Sequence, residues 1–535
     1  MGRGAMFLCL RVSAHSEPSS RESGVFMTDQ TQPGDTESPG EQKNLGPTGD
    51  LAARARSAVL WVGSTTLVWQ VVSWGMTLLT ARILVPDDYG ILSLTETVSP
   101  FLGMLAALNL TTFIVQTDRF AEHEKAAMMS LTCLVGAVMT IVGVSVAPLL
   151  GVFFDNPNMV APFQAVALTF VIRATAVVPL ASLQREFDFK PISLMRLVVG
   201  ISSGMLQLGL AWAGYGYWAL VMGILYREVA SSVWAHLYVG FPRQIAWDPK
   251  LYRIALAFGA PATGALLAAV LFNSSDKMVI GKLFSVEFLG VYSMAFFLTD
   301  LPLAKINSVM RPVFLPYFAR LREDPERMRD HFRRFVLAVT SVIFPVLVGL
   351  AVVAPDAVPL VLGEKWSHLV VPLQVLCAVG LFRSFMDNIP HLLLALGKPM
   401  QVLGFRMIYL AVLPASFILG ANVWGTTGIY GAWLIGFPAV SIVVLLVLRR
   451  EVGISPWDYT TNLTAPVCAS AGMGLATWQV SQWLGSGWPL LIDIALEITT
   501  GGAIYLLIYG TLFRRQAISI LSVLRRREDA SDNAA

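Results

Sequence analysis

Long apolar runs recur along this chain from about residue 57 to about residue 513, and they constrain the fold more than any other feature. A helix that crosses the hydrocarbon layer of a membrane needs roughly 20 mostly apolar residues, because its backbone polar groups must be bonded inside the segment. With 55% hydrophobic and only 14% charged residues, the chain lacks the polar surface that several soluble domains require. The sequence therefore predicts an all-α integral membrane protein and excludes a conventional water-soluble enzyme.

Cutting these runs at glycine, proline, asparagine and clusters of charge gives about fourteen predicted transmembrane helices. Residues 1–50 are rich in Ser, Pro, Gly, Glu and Gln, which is typical of a disordered segment, and Met27 is an alternative start. Residues 514–535 form a basic tail. The predicted spans are 57–84, 89–115, 127–153, 159–183, 192–213, 217–239, 254–283, 288–318, 335–354, 368–396, 400–423, 425–448, 461–484 and 490–513.

Loops that are rich in lysine and arginine alternate along the chain with loops that are poor in them. The poor loops hold little beyond Arg82, Lys282 and Lys365. Since cytoplasmic loops of membrane proteins hold most of the Lys and Arg, this alternation predicts an even number of helices with both termini in the cytoplasm. The rich loops contain Arg54 and Arg56, Arg119 and Lys125, Arg185 and Lys190, Arg243 and Lys250, six arginines between 320 and 334, Lys398, Arg449 and Arg450, and the tail.

A weak internal repeat occurs at an offset near 200 residues. Residues 82–94 lie over residues 282–294, so that a basic residue, a glycine and a serine line up. A second match, at a slightly different offset, pairs residues 170–173 with 380–383, and each segment ends in an arginine. These matches indicate that one half of the chain repeats the architecture of the other.

A repeat of six helices has an even number of spans, so its two copies insert with the same orientation and are related by an axis along the membrane normal. We therefore expect two pseudo-symmetric six-helix lobes, at 51–250 and 251–450, that enclose a cavity. The helix pair at 451–513 has no counterpart in the repeat and is expected to be a peripheral addition.

Several segments resemble the polysaccharide-synthesis branch of the MOP flippase superfamily. Their order and spacing along the chain, rather than any single motif, carry the resemblance, which covers about residues 51–450. The segments are TARILVPDDYG at 80–90, LQREFDFK at 183–190, DKMVIG at 276–281, LGVYS at 289–293, LPYFARL at 315–321 with the charged stretch to 334, and VLGEKW at 361–366.

The resemblance implies a flippase that moves a polyprenyl-pyrophosphate-linked oligosaccharide from the inner to the outer leaflet of a bacterial plasma membrane. It implies O-antigen, capsule or exopolysaccharide synthesis without choosing among them, and membrane lipids, a polysaccharide polymerase and glycosyltransferases as partners. A net charge of +3 gives no reason to expect nucleic acid binding. Four singly spaced cysteines give none to expect a metal, and no organic cofactor is expected either.

Two other functions compete with this interpretation. A multidrug or metabolite exporter of the same superfamily shares the architecture, but usually stops near twelve helices. A membrane enzyme of polysaccharide assembly, such as a polymerase or ligase, needs a catalytic loop with carboxylates or histidines, whereas the loops here are short. Both remain alternatives to a flippase.

Ionisable residues inside predicted spans are costly and mark a transport pathway by default. Cations predominate among them, which suits an anionic pyrophosphate because Arg and Lys both bind phosphate oxygens. Arg173 and Arg383 rank first as cavity residues, since they lie near mid-span and match in the repeat. Lys277, Lys305 and Arg311 follow. The candidates of this kind are Glu96, Arg173, Arg227, Asp276, Lys277, Asp300, Lys305, Arg311, Arg383, Asp387 and Arg406.

Three acids, Asp276, Asp300 and Asp387, are candidates for binding a coupling proton or sodium ion. The sequence leaves a second interpretation open, in which they are counter-ions of nearby cations. Asp387, for example, lies four residues after Arg383, a spacing that allows an ion pair on one helix.

Overall fold

The structure, a computed structural model, describes residues 69–514 apart from 71, 118–120, 241–244 and 485–488, and without the side chains of 261–262, 265, 308–313 and 484. The segment predicted to be disordered and the tail beyond 514 lie outside the described residues. Within the described residues, the regular structure is helical and contains no strand, which confirms the all-α fold class.

The helices are numbered in chain order. They are α1 (72–83), α2 (Pro86–Ala107), α3 (Leu110–Gln116), α4 (Glu122–Phe153), α5 (Val160–Arg185), α6 (Phe189–Trp212), α7 (Tyr217–Val239), α8 (Pro249–Leu283), α9 (Val286–Arg320), α10 (Pro325–Leu362), α11 (Val370–Met386), α12 (Asn388–Ala395), α13 (Pro399–Trp424), α14 (Thr426–Gly431), α15 (Phe437–Val452), α16 (Pro456–Thr461), α17 (Thr464–Leu484) and α18 (Leu490–Leu512).

Ten helical segments in the described part of the chain are long and apolar enough to cross a membrane. Three more predicted spans, α7, α8 and α17, form helices of 23, 35 and 21 residues, long enough to cross a membrane, but are not among these ten. The first predicted span is described only from residue 69 onward. The chain is therefore a multi-pass membrane protein, and the count of fourteen spans stays a prediction.

Short polar side chains determine where several helices begin. α8 begins at Pro249, after Asp248, whose carboxylate accepts two main-chain N–H groups of the first turn at 3.0 and 3.1 Å. Ser285 precedes α9 and accepts the N–H of Phe288 at 3.2 Å. The first amides of a helix have no partner inside the helix, so these side chains satisfy them and fix the boundary.

The two repeat copies meet where α2 crosses α9. A Cβ atom on Gly90 would lie 2.0 Å from the carbonyl oxygen of Val286, and one on Gly290 would lie 1.9 Å from the carbonyl oxygen of Pro86. Gly90 and Gly290 are 200 positions apart, as are Pro86 and Val286, so each helix meets its own repeat equivalent. Only glycine allows backbones to approach this closely. The crossing is the structural counterpart of the repeat in sequence, while the lobe boundaries stay predictions.

The extra helix pair, α17 and α18, packs against α10. The Tyr505 hydroxyl donates to the carbonyl oxygen of Ser341 at 2.7 Å, and the Tyr509 hydroxyl lies 2.6 Å from the Ser341 hydroxyl. These bonds connect the pair to one helix of the second lobe.

Three loops that the charge pattern assigns to the cytoplasm meet at one end of the helix bundle. Lys398 binds the carboxylate of Glu451, and the Asn462 side chain donates to the carbonyl oxygen of Arg333 at 2.8 Å. We call this the inner end, after the predicted orientation. The opposite end, where α1, α4, α8 and α10 finish, is the outer end.

Candidate functional site

A cavity of about 520 Å³ lies between the two halves of the bundle. One wall comes from α1, α2, α6 and α7, is rich in hydroxyl and amide side chains, and carries the rings of Trp69 and Tyr89. The other wall comes from α8 and α9 and includes Phe296. Cavities of this size between helices commonly hold small-molecule groups.

Four charged side chains line this cavity, namely Glu96, Arg227, Lys277 and Asp300. The Nε atom of Arg227 lies 3.9 Å from the carboxylate of Glu228, a long contact. Among the described side chains, no carboxylate oxygen lies within 4.0 Å of the Lys277 ammonium. Lys277 therefore offers its N–H donors to an anion that enters the cavity.

Asp276 and Lys277 are neighbours on α8 but point to different places. Lys277 faces the cavity, whereas Asp276 is 2% exposed. The Tyr292 hydroxyl donates to Asp276 Oδ2 at 2.6 Å, and Trp433 Nε1 donates to the Tyr292 hydroxyl at 2.8 Å. Lys277 reaches Asp276 only through its main-chain N–H, at 2.8 Å from Oδ1. The sequence-predicted acid thus lies in a buried hydrogen-bond network behind the cavity wall.

Arg383 contacts two carboxylates. Its Nη2 atom lies 3.2 Å from Asp300 Oδ1, and its Nε atom lies 3.7 Å from Asp387 Oδ2. The second contact is the intrahelical pair that the sequence spacing allows; the first connects α11 to α9. Arg383 is not among the residues that line the cavity. Asp300 does line it, so Arg383 is connected to the cavity through its contact with Asp300.

Arg173, the predicted repeat equivalent of Arg383, is held differently. Its Nε and Nη2 atoms donate to the two carboxylate oxygens of Glu228 at 3.1 and 2.6 Å. Two parallel charge-assisted bonds form a strong contact and occupy one edge of the guanidinium. Arg173 also does not line the cavity. The structure thus does not bring the two top-ranked arginines together on the cavity wall.

The remaining predicted cations lie further along α9. The Lys305 ammonium donates to the Gln70 amide oxygen at 2.9 Å and does not line the cavity. Arg311 is in α9, and its side chain lies outside the described part. Within the described ranges, no group of three or more His, Cys, Asp or Glu residues is arranged to hold a metal ion.

Two cationic side chains join the halves of the bundle at the outer end. Arg82, at the end of α1, donates to the carbonyl oxygens of Leu360 and Val361 near the end of α10, the latter at 3.2 Å. Lys282, its repeat equivalent at the end of α8, lies 2.7 Å from the carboxylate of Asp155 just after α4. The last carbonyls of a helix lack partners and carry partial negative charge, so cations are favoured there. We call these two contacts the outer clasp.

Further contacts close the same end. The Lys365 ammonium donates to the carbonyl oxygen of Ile83 at 2.7 Å, and Trp366 Nε1 donates to that of Ala81 at 2.9 Å. The Trp366 ring is fully buried and meets the edge of Tyr89, with ring centroids 5.5 Å apart. Since Tyr89 lines the cavity, this layer of side chains covers the cavity on its outer side.

Three residues of this region were not identified by sequence reasoning, namely Glu228, Tyr292 and Trp433. Glu228 follows Arg227 in the middle of a predicted span, and such a charged doublet is a usable signal. The two aromatic residues carry no such signal, because a buried ring in an apolar helix is ordinary core packing.

Comparison with known proteins adds independent information. Residues 79–371 match the family model described as polysaccharide biosynthesis protein. The chain is 26% identical over 455 residues to the lipopolysaccharide biosynthesis protein WzxC of Escherichia coli (strain K12), which covers 81% of this chain and 88% of that protein. It is 22% identical over 458 residues to the succinoglycan biosynthesis transport protein ExoT of Rhizobium meliloti (strain 1021), which covers 84% and 90%.

Among solved structures, the lipid II flippase MurJ in an inward closed conformation is similar in fold. The TM-score is 0.65 at 12% sequence identity, covering 85% of this chain and 99% of that chain. At this identity the likeness shows the fold alone, and the fold is that of a helical membrane transporter.

Proposed function

This chain belongs to the polysaccharide biosynthesis protein family, in the polysaccharide-synthesis branch of the MOP superfamily, and from that we propose that it is a flippase for a lipid-linked oligosaccharide. Its substrate in this proposal is a polyprenyl-pyrophosphate-linked repeat unit of an exopolysaccharide, capsule or O-antigen. It acts in the bacterial inner membrane with both termini in the cytoplasm. The observation that carries the proposal is the cavity between the lobes with the unpaired ammonium of Lys277 on its wall.

The pyrophosphate is assigned to the wall that contains Lys277. Moving a phosphate through the membrane strips its water, so the protein must replace the lost hydrogen bonds. Lys277 supplies a point charge with free donors, and Arg227 faces it from the other wall with a long carboxylate contact of 3.9 Å. Arg383 is the third cation in this proposal. Its guanidinium lies 3.2 Å from Asp300 Oδ1, and an arriving phosphate competes with this carboxylate for it.

The glycan is assigned to the opposite wall. Hydroxyl and amide side chains there, such as Ser203 and Gln207, match the donors and acceptors of a sugar, and Trp69 offers a ring face. The prenyl chain needs no polar path and stays in lipid. Relatives named for lipopolysaccharide and succinoglycan biosynthesis support this substrate class.

Transport by alternating access requires the cavity to open in turn to each side of the membrane. We assign the outer clasp to the gate that must break before release at the outer leaflet. Its test is the labelling of Ser93→Cys, a cavity-lining position on α2, by a membrane-impermeant thiol reagent added outside intact cells, after the natural cysteines are replaced. Adding Arg82→Ala and Lys282→Ala is expected to increase the labelling rate several-fold; an unchanged rate would remove the clasp from the gate.

Ion coupling is part of the same proposal. Asp276 is the preferred carboxylate, because it is buried and, among the described side chains, no Lys or Arg nitrogen pairs with it within 4.0 Å. Asp300 and Asp387 both contact Arg383 and are the second choice. Coupling is not required for the charge itself, since a potential that is negative inside favours outward movement of each negative charge by roughly 2.3 kcal/mol per 100 mV.

The test of the function is deletion of the gene, followed by mass spectrometry of lipid-linked oligosaccharides and a leaflet-accessibility assay on inverted vesicles. Completed repeat units that accumulate facing the cytoplasm are expected, with restoration by the wild-type gene and not by Lys277→Met. Single units that accumulate at the outer face would instead indicate a polymerase or ligase. No change in these lipids would favour the multidrug or metabolite exporter.

A further inference from the structure

Two positively charged groups lie close to one aromatic ring in the cavity wall. The Lys277 ammonium lies 5.6 Å from the centroid of the Phe296 ring, and the guanidinium carbon of Arg383 lies 5.3 Å from the same centroid. Both distances fall within the range of about 6 Å over which the face of a ring attracts a cation. The three residues come from α8, α9 and α11, so the ring gathers charges from three helices.

Two like charges this close to one ring repel each other; Asp300 and Asp387 hold Arg383 in place, and something else must hold Lys277. A carboxylate holds a cation by accepting its hydrogen bonds, as Glu228 does for Arg173 with two bonds of 3.1 and 2.6 Å. A ring attracts a cation through its quadrupole and accepts no strong hydrogen bond. Phe296 therefore localises Lys277 while leaving its N–H donors free for phosphate oxygens.

The Phe296 ring is itself held in place by the buried network behind it. Its centroid lies 6.4 Å from the rings of both Tyr292 and Trp433. Those two side chains are connected by a hydrogen bond of 2.8 Å, and Tyr292 is fully buried. The Phe296 ring therefore packs against this buried network and also lines the cavity.

We infer that Phe296 is a positioning residue for pyrophosphate recognition: its ring holds the ammonium of Lys277 at the cavity wall and the guanidinium of Arg383 next to that wall, ready for an anion with two phosphate groups. The inference rests on the proposed function, because it presupposes that these cations bind the pyrophosphate of the substrate. It adds a role for an apolar residue that has no charge or hydrogen bond of its own to offer.

The experiment measures binding of inorganic pyrophosphate to the full-length protein, purified in detergent, by isothermal titration calorimetry. Phe296→Leu removes the ring, whereas Phe296→Trp and Phe296→Tyr keep one. Phe417→Leu is the matched control, because Phe417 also packs against Trp433, at 5.4 Å, but lies outside the cavity lining, and among the described side chains no Lys or Arg lies over its ring. Lys277→Met, alone and combined with Phe296→Leu, completes a double-mutant cycle.

Phe296→Leu is expected to weaken pyrophosphate binding by about 2- to 30-fold, the range to which cation–π energies convert. The Trp and Tyr variants are expected to retain wild-type affinity, and Phe417→Leu to leave it unchanged. In the cycle, Phe296→Leu should matter less once Lys277 is replaced.

Equal losses in the Phe296→Leu and Phe417→Leu proteins, or a loss in Phe296→Trp as large as in Phe296→Leu, would overturn the positioning role while leaving the binding site intact. If Lys277→Met binds pyrophosphate as wild type does, the assigned site fails, and the role of Phe296 fails with it. The two failures are therefore distinguishable.

Discussion

Replacing Tyr292 by Phe removes a single oxygen that serves two buried groups. The hydroxyl donates to Asp276 Oδ2 at 2.6 Å and accepts from Trp433 Nε1 at 2.8 Å. All three side chains are at most 6% exposed, so water does not readily replace the lost bonds. Each buried polar group left without a partner costs about 1–3 kcal/mol. With two such groups, the substitution is therefore expected to lower the free energy of unfolding by about 2–6 kcal/mol.

Tyr409→Phe is the control, because it removes the same hydroxyl oxygen at a position where the hydrogen-bond partner keeps another bond. The Tyr409 hydroxyl lies 2.8 Å from that of Ser441, which keeps its own bond to the carbonyl oxygen of Phe437 at 2.8 Å. An interhelical side-chain bond in a membrane protein contributes about 0.6 kcal/mol on average. The control is thus expected to cost about 0.5–1 kcal/mol.

The assay is unfolding of the purified protein in mixed micelles with increasing dodecyl sulfate, followed by circular dichroism. Equal destabilisation by Tyr292→Phe and Tyr409→Phe would refute the reasoning, because it would mean that the buried network contributes no more than an ordinary bond. As a second check, Asp276→Leu in the Tyr292→Phe background should cost less than the sum of the single changes, since removing both partners leaves fewer orphaned groups.

Three further predictions follow from the packing and the charges. Gly90→Ala is expected to destabilise the protein by about 1–3 kcal/mol through overpacking against Val286, whereas Gly209→Ala, where a Cβ meets nothing within 4 Å, should not; the same unfolding assay compares them. Glu228→Gln is expected to cost about 1–2 kcal/mol, because it removes the negative charge and the amide oxygen can accept only one of the two Arg173 bonds, and an unaltered unfolding curve would contradict this. Pyrophosphate binding should weaken as salt rises from about 0.1 to about 1 M, since the screening length falls from about 10 to about 3 Å; calorimetry at two salt concentrations checks it.

Much of the fold was predictable because a membrane imposes a one-dimensional rule on the sequence. A spanning segment must be long and apolar, and its flanking charges report its orientation. The basic loops around Lys398 and Arg333 were assigned to one side, and the structure places them at one end of the bundle. The repeat around Gly90 and Gly290 was visible in sequence, because only glycine fits the close crossing that it forms.

The candidate site was predictable only in part. Charged residues inside apolar spans are rare enough to find from sequence, and Lys277 and Asp300 do line the cavity. Their partners were not predictable, because a partner is set by which helix packs alongside. Arg173 ranked with Arg383, yet Glu228 from α7 occupies its guanidinium, while Arg383 turns toward Asp300 on α9.

Length, hydropathy and the spacing of basic residues determined by themselves that this chain is a helical membrane protein, and the match between residues 82–94 and 282–294 indicated a repeated architecture. All of these are properties of the linear sequence that do not depend on how the helices pack. Tertiary structure alone decided which charges are free and which are neutralised. Asp276 and Lys277 are adjacent in sequence, but the helical turn sends one into a buried network with Tyr292 and the other to the cavity. That difference depends on how α9 and the segment around Trp433 pack against α8. The sequence of one helix does not reveal which helices pack against it.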